Sequence, residues 1–169
     1  IDDITATGTL VVVAAGNSNL DVSEFAPANC NGVIAVAAND QGGRRAFYSN
    51  YGAGIHITAP GGETWSCRAS VGEFLPLATP PNSTNCAPTR QHPAQGVLST
   101  VGNNAFDFMS GTSMAAPHVA GVVALMQAVA PVPKTTSQVK DILRRTAHPI
   151  AAANCPGGCG PGIIDAAEA

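Results

Sequence analysis

Apolar residues fall in three short unbroken runs in the first third of the chain, Leu10 to Ala15, Val33 to Ala38 (VIAVAA) and Gly54 to Ala59 (GIHITA), bounded by Gly, Pro or Asn. Runs of this length without polar alternation are the pattern of strands covered on both faces, as in a parallel sheet. Ahead of them, Ile1 to Thr7 reads as the tail of a helix with Gly8 as its stop. Between Pro60 and Val97 the pattern breaks. Pro76, Pro80, Pro81, Pro88 and Pro93 exclude a long helix or a central strand, and we read 63–96 as a surface insertion. Val97 to Val101 and Ala105 to Met109, separated by Gly102, Asn103 and Asn104, predict a β-hairpin. From Thr112 to Ala130 nearly every residue is small or apolar, which predicts a helix buried on most sides. Pro117 is tolerated there in or near the first turn, and Pro131 ends the helix. A second, surface helix follows, with Thr135 and Gln138 as a capping box, Val139, Ile142, Leu143 and Ala147 on one face, and Arg144 and Arg145 at its C-terminal end. Strands alternating with helices imply an α/β layered fold.

Composition narrows the class. The 169 residues, 45% hydrophobic against 11% charged, suffice for one domain with a sizeable core. A net charge of -3, with eight Lys and Arg forming no run, gives no footprint for nucleic acid or an anionic membrane. No unbroken apolar run approaches the roughly 18 residues of a membrane span, Thr112 to Ala130 being interrupted by Ser113, Pro117, His118 and Gln127, and no basic-then-apolar leader opens the chain, so it reads as soluble and processed. Cys30, Cys67, Cys86, Cys155 and Cys159, with 13 prolines and 18 glycines, suggest a loop-rich protein from an oxidising compartment. The Cys155/Cys159 spacing has no matching second pair and no nearby His except His148, which argues against zinc. An odd count leaves one cysteine without an internal partner.

Two stretches carry candidate chemistry. In FMSGTSMAAPHVAG, residues 108–121, Ser113 stands where the long helix begins, near the backbone N–H groups and positive dipole end that suit a developing oxyanion. The same position suits a helix N-cap, and the G-x-S-x-G elbow of α/β-hydrolases does not fit, because Ala115 replaces the second glycine. In VVVAAGNSN, residues 11–19, a buried strand runs into Gly16 and Asn17 at its carboxyl end, where α/β folds place ligand and catalytic groups. Asn17 is there either an oxyanion donor or a turn asparagine.

Together AAGNS, FAPANCNGVIAVAA, RRAFYSNYG, APGG, GTSMAAPHVAG and the closing GIIDAA resemble the subtilisin family of serine proteases, in particular its secreted bacterial members, over nearly the whole chain outside the insertion. The resemblance implies a doubly wound, mainly parallel sheet, incomplete in this chain, and a secreted endopeptidase acting through an acyl-enzyme. Ser113 would be the nucleophile, and Asn17 would donate a side-chain N–H to the oxyanion, with the Ser113 backbone N–H as second donor. The family orders its triad Asp, His, Ser, and no stretch here resembles its D-T/S-G or H-G-T/S-H motifs. His118 lies in the serine signature but about a turn and a half along the same helix, rotated away from Ser113. His56 on an apolar strand, His92 in the insertion and His148 before Pro149 read as structural or solvated. The triad Asp and His are therefore expected on an upstream segment or N-terminal fragment of the same protease, and the isolated chain is expected to be inactive.

The resemblance extends to finer features. Relatives with the PANCN stretch pair its cysteine upstream, so Cys30 would join the N-terminal fragment while Cys155 with Cys159 and Cys67 with Cys86 form local pairs; five cysteines allow other pairings. Ala14, Ala15 and Gly16 would form one wall of the cleft for the residue before the scissile bond, with Phe25 at its base. The small wall residues leave room for a large apolar side chain, whereas an inward-pointing Phe25 ring would shorten the pocket, and a broad apolar preference is expected. Some relatives hold calcium between carbonyls after the proline turn and a carboxylate after SNYG; His56 stands at that carboxylate position and is a poor ligand for a hard cation, leaving calcium to the upstream segment. The insertion carries Trp65, and a loop between Cys67 and Cys86 would serve as a stability staple or as an exosite for large substrates. Sedolisins share a G-T-S signature but place an acidic residue where Asn17 stands. A noncatalytic scaffold with a vestigial serine is the remaining alternative.

Overall fold

A computed structural model describes residues 1–69, 86–91 and 93–169, with the side chains of 65–69, 86–91 and 93 left aside. The expected Cys67 to Cys86 pair, the exposure of Trp65, and His92 lie outside this description.

The chain opens with a short helix, α1 (Asp2–Ala6), which ends at Gly8 in the left-handed conformation (φ 87°). Three parallel strands follow, β1 (Val11–Ala14), β2 (Val33–Asn39) and β3 (Ile57–Pro60), in spatial order β1-β2-β3. The apolar runs thus form strands within a few residues of their expected limits; β3 starts later because Gly52 to Ile55 make a turn, closed by the Ile55 N–H on Gly52 O at 3.1 Å. Register sets Val11 opposite Val33 and Val36 opposite Ile57, so β2 is central and every one of its seven residues is buried. Among the described residues β1 pairs on one side only, and its four residues are half-buried.

The insertion leaves the sheet at Gly62 and returns at Gly96, where the Glu63 N–H donates to Gln95 O at 3.0 Å. Its ends are more regular than the proline content suggests. Strands β4 (Trp65–Ala69) and β5 (Cys86–Gln91) pair antiparallel, and the register shifts between Ser66 and Cys67, where Pro88 lies opposite. A two-stranded ribbon with a bulge accommodates a proline that a central strand would reject. The next hairpin, β6 (Val97–Val101) with β7 (Ala105–Met109), falls at the limits read from the sequence, and Asn103 and Asn104 take the positive φ that its turn requires (61° and 55°).

Helices α2 (Thr112–Val129) and α3 (Thr136–Thr146) complete the fold. Alternation along β2 sends Ile34, Val36 and Ala38 to one face, where they meet Ala115, Val119, Val123 and Met126 of α2 and Val139 and Leu143 of α3. Ala35 and Ala37 point to the opposite face, into a smaller core with Ala15, Val22, Ala28 and Ile55. Each fully buried Val, Leu or Ile contributes about 1.5–3 kcal/mol relative to exposure. The capping box forms as expected: Thr135 Oγ1 accepts from the Gln138 N–H and Gln138 Oε1 accepts from the Thr135 N–H.

Two expectations for α2 are corrected. The helix is not buried on most sides: Thr112, Ala115, Val119, Val123 and Met126 form one buried stripe, while Leu125 is 65% and Val129 82% exposed. An apolar composition all round the helix does not reveal how many partners it has, and the described residues supply partners on one side. Pro117 is the sixth helical residue and so lies in the second turn. Lacking an N–H, it leaves the Ser113 carbonyl without its intrahelical partner.

Candidate active site

The site forms where the carboxyl end of β1 meets the amino end of α2. The helix start is docked by the Gly111 N–H, which donates to Gly61 O at 3.0 Å; Tyr48 supports that turn, its hydroxyl lying 2.6 Å from Gly62 O and 3.0 Å from Gly61 O. Burial pushes the Tyr48 phenol upward, so it stays a neutral donor. The N-cap of α2 is Gly111, without a side-chain cap bond. Ser113 is the second helical residue, exposed, so the N-cap reading of this serine is set aside.

Thr112 is a member of the site that sequence reasoning passed over. Its backbone N–H and its hydroxyl both donate to Asn17 Oδ1, each at 2.9 Å, and its Oγ1 accepts from the Gly16 N–H at 3.1 Å. The only signal was its place next to the serine in GTS. With Oδ1 held by two donors, the amide nitrogen of Asn17 becomes the free end of the side chain. A Cβ built on Gly111 would lie 3.5 Å from Asn17 Nδ2 and 3.7 Å from Ser113 N. One small space beside Gly111 is therefore bordered by two donors from segments far apart in sequence. Ser113 N precedes the first complete helical turn and has no acceptor among the described residues. Two N–H groups that border one position, with Met114 Sδ 3.6 Å from it as well, suit an oxyanion.

The other predicted residues are placed as follows. Ala14 and Gly16 are half-buried, whereas Ala15 is 1% exposed in the smaller core, its N–H donating to Val36 O and its carbonyl accepting from Asn50 Nδ2, so it offers the expected wall no exposed surface. Phe25 follows the short 3-10 turn Val22–Glu24 and is half-buried, its Cδ1 lying 3.7 Å from where a Cβ on Gly16 would stand. Its ring thus faces the Gly16 segment. Cys30 is exposed with no disulfide partner among the described residues, near Ile1 to Asp3, while Cys155 and Cys159 are bonded.

No described histidine serves Ser113. His118 is exposed, with Nδ1 2.8 Å from Met114 O on its own helix, and His148 sits in backbone pairing with Ile163. His56 accepts the Ala35 N–H on Nδ1 at 3.1 Å; burial first, and the Lys140 charge second, lower its pKa and keep the ring neutral. With that lone pair in use, the residues present do not fit a calcium ion at this position, and no His, Cys, Asp and Glu cluster among the described residues has the makings of a metal site. At the base of the insertion, burial pushes the Glu63 carboxyl up to about 7, although Oε2 accepts from the Phe47 N–H at 3.2 Å.

Comparison with known proteins shows the family. The subtilase family signature matches residues 1–162, and the chain belongs to that family. It is 42% identical over 166 residues to the extracellular protease of Xanthomonas campestris pv. campestris, matching 98% of this chain and 24% of that protein. It is 37% identical over 169 residues to the extracellular basic protease of Dichelobacter nodosus, again matching 98% of this chain and 24% of that protein. A solved protease from Pseudoalteromonas arctica superposes with a TM-score of 0.74 at 37% identity, covering 99% of this chain and 43% of that one. The α/β subtilisin-like fold follows, as does the extracellular setting inferred from the sequence. The chain spans about a quarter of the length of these curated relatives.

Proposed function

We propose that this chain supplies the nucleophile, Ser113, and the oxyanion donors, Asn17 Nδ2 and Ser113 N, of a secreted serine endopeptidase. The observation that carries the reading is the pair of donors bordering one space beside Gly111. Ser113 Oγ attacks the scissile carbonyl, the carbonyl oxygen becomes an oxyanion between the two N–H groups, and collapse expels the amine to leave an acyl-enzyme. A histidine takes the proton from Ser113 and gives it to the leaving amine, an aspartate orients that imidazole, and both come from an upstream segment of the same protease. Support for such a segment lies in the one-sided pairing of β1 and in the exposure of Leu125, Val129, Phe106 and Leu98. Covering these surfaces would remove an open sheet edge and exposed apolar side chains on α2 and on the β6–β7 hairpin. Without them the isolated chain is inactive. Cys30, exposed and near the first residues, would bond a cysteine of that segment.

The test is fluorophosphonate labelling of the complete peptidase, which is expected to modify Ser113 and to require the upstream segment. Labelling elsewhere, or none in an otherwise folded preparation, would favour the scaffold reading.

The Phe25 ring facing Gly16 favours a shortened pocket, which shifts the apolar preference towards smaller residues before the scissile bond. Phe25→Gly is expected to raise kcat/KM for phenylalanine over alanine at that position by roughly tenfold to a hundredfold. An unchanged ratio across a series of chromogenic peptides would remove Phe25 from the pocket.

A further inference from the structure

Asn50 lies 30–35 residues from the segments it binds, and it is fully buried (0% exposed), so it reaches neither the space beside Gly111 nor a substrate in it. Its backbone carbonyl accepts from Ser49 Oγ at 3.0 Å, and its other four hydrogen bonds all go to the turn that carries Asn17. Its backbone N–H donates to Gly16 O at 2.9 Å and its Nδ2 donates to Ala15 O at 2.9 Å. Its Oδ1 accepts from the Ser18 N–H at 3.0 Å and from the Leu20 N–H at 3.2 Å.

These bonds bracket Asn17. The peptide unit before it contains Gly16 O, and the peptide unit after it contains Ser18 N; both are bound to Asn50. With both planes fixed, the two backbone dihedrals of Asn17 are fixed, and so is the direction of its Cα–Cβ bond. Thr112 then sets the amide by holding Oδ1. The close approach also accounts for Gly16, whose φ is 106° and where an added Cβ would collide with Asn50 Nδ2.

We propose that Asn50 is a positioning residue for the oxyanion donor, holding the backbone on both sides of Asn17 so that Nδ2 is aimed before substrate arrives. The inference rests on the proposed role of Asn17. Donors that are pre-aimed need no reorganisation as charge develops, and a small misplacement of such a group affects the transition state more than the ground state. A buried asparagine that served stability alone would alter melting without discriminating between kcat and KM.

The experiment is a double-mutant cycle on the complete peptidase with a chromogenic peptide, combining Asn50→Ser and Asn50→Ala with Asn17→Ala. Asn50→Ser keeps a small polar group able to make one of the bonds and provides a folded variant should Asn50→Ala fail to fold. In the parent background Asn50→Ser is expected to lower kcat by roughly tenfold to a hundredfold with KM within about twofold. In the Asn17→Ala background the same substitution is expected to lower kcat by less than about threefold, because the group being aimed is gone. Equal losses in both backgrounds, or a loss confined to KM, would overturn the proposal while leaving the role of Asn17 intact. If Asn17→Ala alone leaves kcat unchanged, the proposed function and this inference both fall, and the single variant reveals it before the cycle is completed.

Discussion

Ser113→Ala in the complete peptidase is expected to abolish peptide hydrolysis, measured as initial rate on a chromogenic peptide, while leaving the melting temperature within a degree or two. The serine side chain is exposed and its Oγ makes no hydrogen bond among the described residues, so its removal costs the fold little. In subtilisin loss of the serine lowers kcat by about 2 × 10⁶, and a loss of that order is expected here. A residual rate within a hundredfold of the parent, from material shown free of parent enzyme, would mean that another group attacks the carbonyl.

The second large effect concerns Asn17. Loss of its donor is expected to lower kcat by about 10²–10³ with little change in KM, the size seen for the equivalent donor in a subtilisin. The reason is that a carbonyl oxygen in the bound substrate needs the N–H far less than the oxyanion does. Asn17→Ala also strips Thr112 of its acceptor, leaving a backbone N–H and a hydroxyl unpaired at a cost of about 1–3 kcal/mol in stability. Asn17→Asp separates the two effects, because a carboxylate still accepts both Thr112 bonds yet presents no donor. Similar kcat losses in both variants, with Asn17→Asp the more stable, are expected. If Asn17→Asp retained parental kcat, the side-chain donor would have no part in the reaction.

Local order was largely legible without coordinates. The three apolar runs became three parallel strands, the β6–β7 hairpin fell on its expected residues, and the Thr135/Gln138 box capped α3, because each depends on residues only a few positions apart. The serine signature and the Asn17 turn were likewise visible as compact motifs. What escaped was how distant segments divide the work between them. Thr112 and Asn17 are 95 residues apart, and Asn50 reaches its turn across 30 or more; nothing in a linear pattern announces a buried amide whose partners are backbone atoms. The same holds for the Phe25 ring, whose direction depends on a rotamer chosen by neighbours, and for α2, whose apolar surface gave no count of the elements packed on it. Patterns along the chain report the preferences of each residue, strand or helix, buried or wet. The partner that satisfies a hydrogen bond or fills a face is settled by packing in three dimensions, where loop closure brings together groups that the sequence keeps apart.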